Sequence, residues 1–362
     1  MSRRTPFSAD PGALLTAVPA LLGFVPERSI IVLVCGAEHT VEATMRHDLA
    51  LTPDGRPTTE LIGVLDHLGA ICADYVPAQI VVVIADDRYP PDDARYRRVM
   101  AVADRLLAAQ AGVCRGFVVG EFASGAPWSA IWPVIAEGRD ARSEMTVGIL
   151  EDPWSCPTAV AVAVVHGRPL LRRREEIAEM LAPEPGCADP GCRHHASVDG
   201  TDGSVVDSAE LFATVVDSVR RPRRRLDCAT LAELDRAITE LRVRDAAMAL
   251  AVNDDRDNAE KLWRQLTRRL TGSGRASAAT LLAHLHYIRG EGAYAGVALD
   301  IALSADPTWS MAHLLDDALR TGLRPAILWT TVSNCYRIAE ELGQTLPRPT
   351  LRRASWASGD GG

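Results

Sequence analysis

Apolar residues recur along this chain with two different spacings, and the pattern changes near its middle. Up to about residue 181, short continuous or alternating apolar runs are separated by segments in which apolar residues recur every three or four positions. From about residue 210 to 343 only the second spacing occurs. Because side chains repeat every two residues on a strand and about every 3.6 on a helix, the pattern predicts an α/β domain followed by an all-α domain.

The α/β domain is predicted to comprise residues 9–181. Its opening helix begins at Asp10 and Pro11, because a capping side chain followed by proline favours a helix start. The predicted strands are 29–35, 41–49, 79–87, 112–122 and 158–167, and the later helices are 59–74, 93–110 and 175–181. The first two strands are predicted to form a hairpin, whereas strands separated by helices commonly lie parallel. We therefore expect a mixed, mostly parallel sheet with flanking helices.

Residues 182–209 are predicted to be a flexible linker or an insertion. Their sequence, which includes APEPGCADPGCRHHASVDGTDGS, is rich in Pro, Gly, Asp and Ser and has almost no apolar anchor. The all-α domain is predicted to follow over 210–343. Residues 344–362 have no pattern of buried positions, so we expect a disordered tail there.

One long amphipathic segment is predicted at the start of the all-α domain. Thr230 and Glu233 form a capping-box pattern at its head. One apolar stripe then comprises Leu231, Leu234, Ile238, Leu241, Met248 and Val252. Further helices are predicted at 256–270, 277–289, 292–304 and 308–321, with TGSGR at 271–275 as a linker between two of them.

The spacing of small residues in this domain resembles that of a tetratricopeptide helix pair. The matching positions are Ala283, Gly290, Ala295, Ala302 and Pro307. Small side chains at these positions let two antiparallel helices approach closely, and the proline closes the unit. The fold expected for the second domain is therefore a small, tetratricopeptide-like stack of helices.

Composition restricts the possible partners of the protein. The formal net charge of −8 argues against a generally nucleic-acid-binding surface, and no apolar run approaches the ~20 residues that cross a bilayer. Eight cysteines are scattered along the chain, several of them inside apolar runs. This distribution is typical of a reducing compartment, so we expect a cytoplasmic protein that does not bind membranes. Nucleic-acid binding through Arg220 to Arg225 is the third and least favoured function, and salt-dependent retention on duplex DNA tests it.

Three stretches of the chain resemble the actinobacterial family 4192 of domains of unknown function. They are DPGALLTAVPALLGFVPERSIIVL, ELRVRDAAMALA and LLAHLHYIRGEGAYAGVALDIALSADPTWSMAHLLDDALRTGLRP. The likeness extends from about residue 9 to 326. It implies a cytoplasmic actinobacterial protein with an α/β first part and a helical second part, and it implies no activity. A tryptophan-rich turn of the family is only partly kept here, as Trp128 and Ser129.

A candidate metal site lies in the predicted linker. Cys187, Cys192 and His194 have a spacing that could place two thiolates and one imidazole around zinc. The fourth ligand is missing from the local pattern, and the alternative is an exposed loop with incidental cysteines and histidines. No other motif requires a cofactor. Metal analysis of protein purified without chelator distinguishes the two alternatives.

Two further sets of residues are candidate ligand-binding positions. Asp86 and Asp87 end one predicted strand and Glu121 ends the next, and with Arg28 they could converge at the edge where open α/β sheets bind ligands. Such carboxylates could hold a magnesium ion or position a hydroxyl. Helix capping is the alternative for the acids. In the second domain, Asp245 lies on the apolar stripe and must be paired there, so we expect a buried pair with Arg242. Alternatively, Arg242 or Arg244 faces an anionic ligand between the domains.

None of the common phosphate-loop, nucleophile-elbow, zinc-protease or kinase motifs occurs in the chain. We therefore predict a protein-interaction or regulatory module that binds another protein through the helical domain. The alternative is a small-molecule-binding protein or an enzyme with its site at the sheet edge and the domain interface. An interaction module should expose an apolar groove within 277–304, whereas an enzyme should bring Arg28, Asp86 and Glu121 together in a cleft.

Overall fold

The structure is a computed structural model, which describes residues 5–6, 10–36, 40–75, 77–132, 147–185 and 207–350. The chain divides between residues 176 and 177 into two compact units. We call them the sheet unit and the helical unit. The division falls five residues before the predicted end of the first domain.

The sheet unit contains a seven-stranded sheet in its described residues, in the order β1-β3-β2-β4-β5-β6-β7. The strands are β1 (Thr5–Pro6), β2 (Ser29–Cys35), β3 (Thr40–Asp48), β4 (Gln79–Ala85), β5 (Arg115–Val119), β6 (Pro127–Trp132) and β7 (Val147–Ile149). The helices are α1 (Pro11–Leu22), α2 (Thr59–Ala73), α3 (Ala94–Leu107), α4 (Pro157–His166) and α5 (Glu175–Met180), which extends across the division between the units.

The strand directions contradict the prediction of a mostly parallel sheet. Among the described strands, only β4 and β5 pair in parallel, and the other five pairs are antiparallel. The predicted hairpin of β2 and β3 is confirmed. It also explains the error: α2 returns the chain so that β4 runs in the direction of β3, but β4 pairs with β2, which runs the other way.

Strands β2 and β4 are buried on both faces of the sheet. On one face Ile30 and Val82 pack in a core with α2 and α3, and on the other face Ile31 and Val83 pack in a core with α1. This arrangement explains why QIVVVIA, the sequence of β4, is apolar without alternation. The unit is thus a layer of sheet between two layers of helix.

The last predicted strand, 158–167, is a helix. In α4 the Cys156 side chain caps the first turn, Pro157 occupies the first helical position, and Gly167 ends the helix with a φ of 63°. An apolar run of this length does not distinguish a buried strand from a helix. The strands that complete the sheet are β6 and β7, which the sequence analysis left unassigned.

The helical unit consists of helices throughout its described residues from 207 to 343. They are α6 (Ser208–Arg220), α7 (Cys228–Thr239), α8 (Leu241–Ala247), a 3₁₀ turn (Met248–Ala251), α9 (Arg256–Arg269), α10 (Gly272–Ile288), α11 (Gly292–Ala305), α12 (Ser310–Arg320) and α13 (Pro325–Glu341). The predicted long segment after Thr230 is therefore interrupted. The Glu240 side chain caps α8 through the amide of Val243, and the side chain of Leu241 is 59% exposed.

Helix α10 is the centre of the helical unit. Every residue from Ala276 to Ile288 is buried, and the surrounding elements are α7, α8, α9, α11, α12 and α13. The buried Ser277 hydroxyl donates to the carbonyl of Ile238 in α7 at 2.5 Å. The predicted linker TGSGR instead forms the first turn of α10, where a Cβ on Gly274 would overlap the Asp235 carboxylate.

Part of the predicted tail is ordered against the helical unit. Leu346 is buried, the Tyr336 hydroxyl donates to the Pro347 carbonyl at 2.6 Å, and the Thr350 amide donates to the Val252 carbonyl at 2.9 Å. The prediction of disorder is therefore wrong for residues 344–350. Residues 351–362 lie outside the described part of the chain.

Buried His284 makes the stability of the helical unit depend on pH. Its Nδ1 has no hydrogen-bond partner among the described residues, and burial lowers the imidazole pKa from 6.5 to about 4. As the pH falls, the imidazole of His284 is therefore protonated near pH 6.5 in the unfolded chain but only near pH 4 in the folded chain. We expect the free energy of unfolding to fall by roughly 3 kcal/mol as the pH drops through this window.

His284→Leu should remove that part of the pH dependence, which urea denaturation at several pH values, followed by circular dichroism, can measure. The matched control is His313→Gln, which replaces an exposed imidazole on α12. The control should keep the pH dependence of the original chain. An equal loss of stability at low pH in the original chain and in His284→Leu would contradict the prediction.

Candidate functional site

One edge of the sheet collects three of the predicted ligand-binding residues. Ser29, at the start of β2, is paired with Ala85, at the end of β4, and Ala85 is paired with Val119, at the end of β5. Arg28, Asp86 and Glu121 adjoin these strand ends, so all three belong to the same edge. The register of the strands thus explains why residues distant in sequence come near one another.

Asp86 has a structural role at this edge. Its side chain is fully buried; its Oδ1 accepts a bond of 2.8 Å from Arg88 Nε, and its Oδ2 accepts one of 2.9 Å from the Tyr96 hydroxyl. Arg88 Nη2 also donates to the Leu49 carbonyl, beyond the end of β3, at 2.9 Å. Burial and the Asp86 carboxylate raise the pKa of Tyr96. Asp86 therefore connects the loop after β4 with α3 and, through Arg88, with the segment after β3, and its carboxylate does not face solvent.

Arg28 is the exposed charge of the edge, and its backbone is unusual. Its φ is +43°, the only positive value at a described residue other than glycine. Arginine rarely adopts this left-handed region, and such strain is found preferentially at functional sites. Arg28 Nε lies 3.1 Å from Asp87 Oδ1, and this contact raises the pKa of Arg28 and lowers that of Asp87. Both side chains are largely exposed to solvent.

The edge does not bring the three predicted residues into one constellation. Arg28 pairs with Asp87, Asp86 pairs with Arg88, and Glu121 is exposed. The available chemistry is therefore a guanidinium beside a carboxylate at the surface, which can hold a polar or anionic group. Of the two neighbouring carboxylates that the sequence places at this edge, Asp86 is buried and Asp87 is the one that faces solvent.

The predicted pair of Arg242 with Asp245 is absent. Asp245 Oδ1 pairs with Arg244 Nη2 at 2.7 Å, and Arg242 Nη2 pairs with Glu341 Oε2 of α13 at 2.9 Å at the surface. The predicted apolar stripe is interrupted where α8 begins at Leu241, and the side chain of Asp245 is 30% exposed rather than enclosed in the core. Arg244 is buried, and its guanidinium lies 5.8 Å from the centre of the Trp309 ring.

A buried charge cluster lies instead where α10 meets α11. Arg289 Nη1 is 3.3 Å from Glu260 Oε2 of α9, and its Nε is 3.5 Å from Glu291 Oε1. His286 Nδ1 is 2.9 Å from Glu291 Oε2. Arg289, Glu291 and His286 are all buried. Pairing compensates for the cost of removing these charges from water, so the cluster holds the α10–α11 turn in place.

The candidate zinc ligands Cys187, Cys192 and His194 lie outside the described residues, so zinc stays a prediction. Within the part of the chain that the structure describes, no group of three or more His, Cys, Asp or Glu side chains is arranged to hold a metal ion.

The outer face of α4 is a candidate contact surface that the apolar pattern of the sequence does not predict. Val160, Val164 and Val165 are 49%, 78% and 70% exposed, and we call these three side chains the valine face. Six of the ten exposed large apolar side chains among the described residues fall within 147–165. The ten residues of α4 contain no Asp, Glu, Lys or Arg. The absence of charge is evident in the sequence, but an uncharged run is equally typical of a buried strand, so it does not by itself predict an exposed helix face.

Comparison with known proteins gives a family but no activity. A family profile described as "Domain of unknown function (DUF4192)" matches residues 11–326. The chain belongs to this family. No curated protein and no solved structure matches it. Among the described residues, no helix combines the length and the apolar character that crossing a bilayer requires.

The structural role of Asp86 can be tested with a matched pair of variants. Asp86→Asn keeps the shape of the side chain but removes the charge opposite Arg88, and we expect it to lower the free energy of unfolding by about 2 to 3 kcal/mol. Asp87→Asn should have almost no effect, since the Arg28–Asp87 pair is exposed. Urea denaturation measures both. Equal losses in the two variants would show that Asp86 is not the residue that ties the loops.

Proposed function

We propose that this protein is a protein-interaction module whose partner protein covers the valine face of α4. The supporting observation is the exposure of three valines on a helix that has no Asp, Glu, Lys or Arg. A helix at the surface of a globular protein normally turns charged and polar side chains to solvent. An uncharged apolar face in that position is typical of a surface that another protein covers.

This proposal moves the contact surface from the helical unit to the sheet unit. An apolar groove within 277–304 was the expected sign of a binding surface on the helical domain. All residues of that range are described, and its large apolar side chains are buried or half-buried. Helix α10 is enclosed by its neighbours, so it offers no groove to a peptide.

The likeness of α10 and α11 to a tetratricopeptide helix pair is part of the proposal. Ala283, Ala295 and Ala302, which carry that likeness in the sequence, are all fully buried. Their small side chains support close packing of the two helices. In this proposal the pair stabilises the helical unit and does not itself bind the partner.

A second candidate function is the binding of a small anionic or polar molecule at the sheet edge. The observation that favours it is the positive φ of Arg28, because strain is retained where the surrounding structure or a function requires it. A ligand carboxylate or phosphate could pair with the exposed guanidinium in place of Asp87.

The interaction proposal predicts that a charge on the valine face abolishes binding. We expect Val164→Glu to reduce the amount of the captured partner at least about tenfold in paired affinity capture from the native host with quantitative mass spectrometry, because a carboxylate buried in an apolar contact loses its hydration. Val164 is 78% exposed, so the variant should keep the thermal stability of the original chain.

The matched control for this experiment is Leu314→Glu. Leu314 lies on α12 of the helical unit and is 63% exposed, so it receives the same chemical change at a comparable exposure. The control should retain the partner. Loss of the partner with Leu314→Glu, and retention with Val164→Glu, would place the contact on the helical unit and contradict the proposal.

The strain at Arg28 predicts a difference between two small replacements. Glycine adopts a positive φ without steric cost, whereas alanine does not. Arg28→Gly should therefore unfold a few degrees above Arg28→Ala in differential scanning calorimetry. Both variants lose the Arg28–Asp87 pair equally, so the comparison isolates the backbone. Equal melting temperatures would show that the backbone at residue 28 is not strained.

A further inference from the structure

The valine face is compatible with a second copy of itself. The valine face and its neighbour Ala161 are exposed. They form two rows one helical turn long, Val160 with Val164 and Ala161 with Val165. Two such surfaces can meet without bringing like charges together. A two-fold axis places the same patch of each copy against the other, which requires a patch that tolerates itself. An uncharged patch of three valines and one alanine meets this requirement.

The side chains on this face are suited to close helix packing. Valine is a poorer helix former than alanine, because its branched side chain restricts rotation next to the preceding turn. The same restriction means that valine has little side-chain entropy to lose when it becomes buried. Valines on the outer face of a helix therefore contribute little to its stability in water and more when another protein buries them.

Charges at the two ends of α4 indicate the direction in which two copies pair. Glu151 and Asp152 precede the helix, and Arg168 follows it. Asp152 lies five residues before the first residue of the helix and Arg168 two residues after its last, so opposite charges adjoin its two ends in the chain. Antiparallel packing brings the acidic end of one copy to the basic end of the other, whereas parallel packing opposes like charges.

We infer that the occupant of the valine face is a second copy of this chain, whose α4 packs antiparallel to the first across a two-fold axis. This inference rests on the proposed function, since it names the partner protein that covers the face. The contact then consists of the valine face and Ala161 from each copy, with complementary charges at both ends.

Sedimentation velocity of the purified full chain over a concentration series tests this inference. We expect a dimer whose dissociation constant rises at least about tenfold in Val164→Glu. The matched control is Ile62→Glu on α2, which changes another partly exposed apolar side chain of the sheet unit and should leave the dissociation constant unchanged. Circular dichroism checks that each variant is folded.

A charge exchange tests the antiparallel direction. Glu151→Arg should raise the dissociation constant, and Glu151→Arg combined with Arg168→Glu should restore it, because each contact then again joins opposite charges. A double variant that stays as weak as the single one would overturn the antiparallel arrangement.

The inference and the proposed function fail in different ways. A monomer at every concentration, together with a captured partner that Val164→Glu removes, would overturn the self-association and leave the interaction module intact. A monomer together with capture that does not respond to Val164→Glu would overturn both.

Discussion

Burial of central elements on every side is the constraint on which this structure depends. In the sheet unit β2 and β4 are covered on both faces, and in the helical unit α10 is covered all round. A segment that is buried on every side has no solvent-exposed face, so its own sequence does not indicate which neighbour lies on which side. The positions of the neighbours are set by their own one-sided patterns, by turns and by caps.

Polar groups inside these cores act mainly as structural ties. Asp86 joins Arg88 and Tyr96 beside the end of β4, and Glu291 joins His286 and Arg289 at the end of α10. Each set of hydrogen bonds and ion pairs holds the segment that follows a fully buried element. Apolar packing alone would not determine the direction in which that segment leaves the core. Perturbed groups and paired charges in this protein are therefore poor guides to a reaction site, although such features elsewhere often mark one.

The sequence was sufficient for the elements with a one-sided pattern and insufficient for those without one. Helices α2 and α3 and the β2–β3 hairpin agree with the prediction because one side of each contacts the core. The predicted strand directions were wrong because the uniformly apolar sequence of β4 does not indicate which strand it pairs with. At the candidate site, Arg28 and the carboxylates could be assigned to one edge, but the choice of Asp87 over Asp86 depends on burial that only the fold determines.

Helix α4 connects the error in the fold to the candidate function. Its apolar run predicts a buried strand because a continuous run without charge is most often covered on both sides. The chain instead covers one side with α1 and exposes the valines on the other. The composition of the run is that of a segment covered on all sides, whereas in this chain one side of α4 is exposed. The partner proposed above would cover that side. The helical unit offers no comparable surface on its central helix, because the apolar positions of α10 are already enclosed.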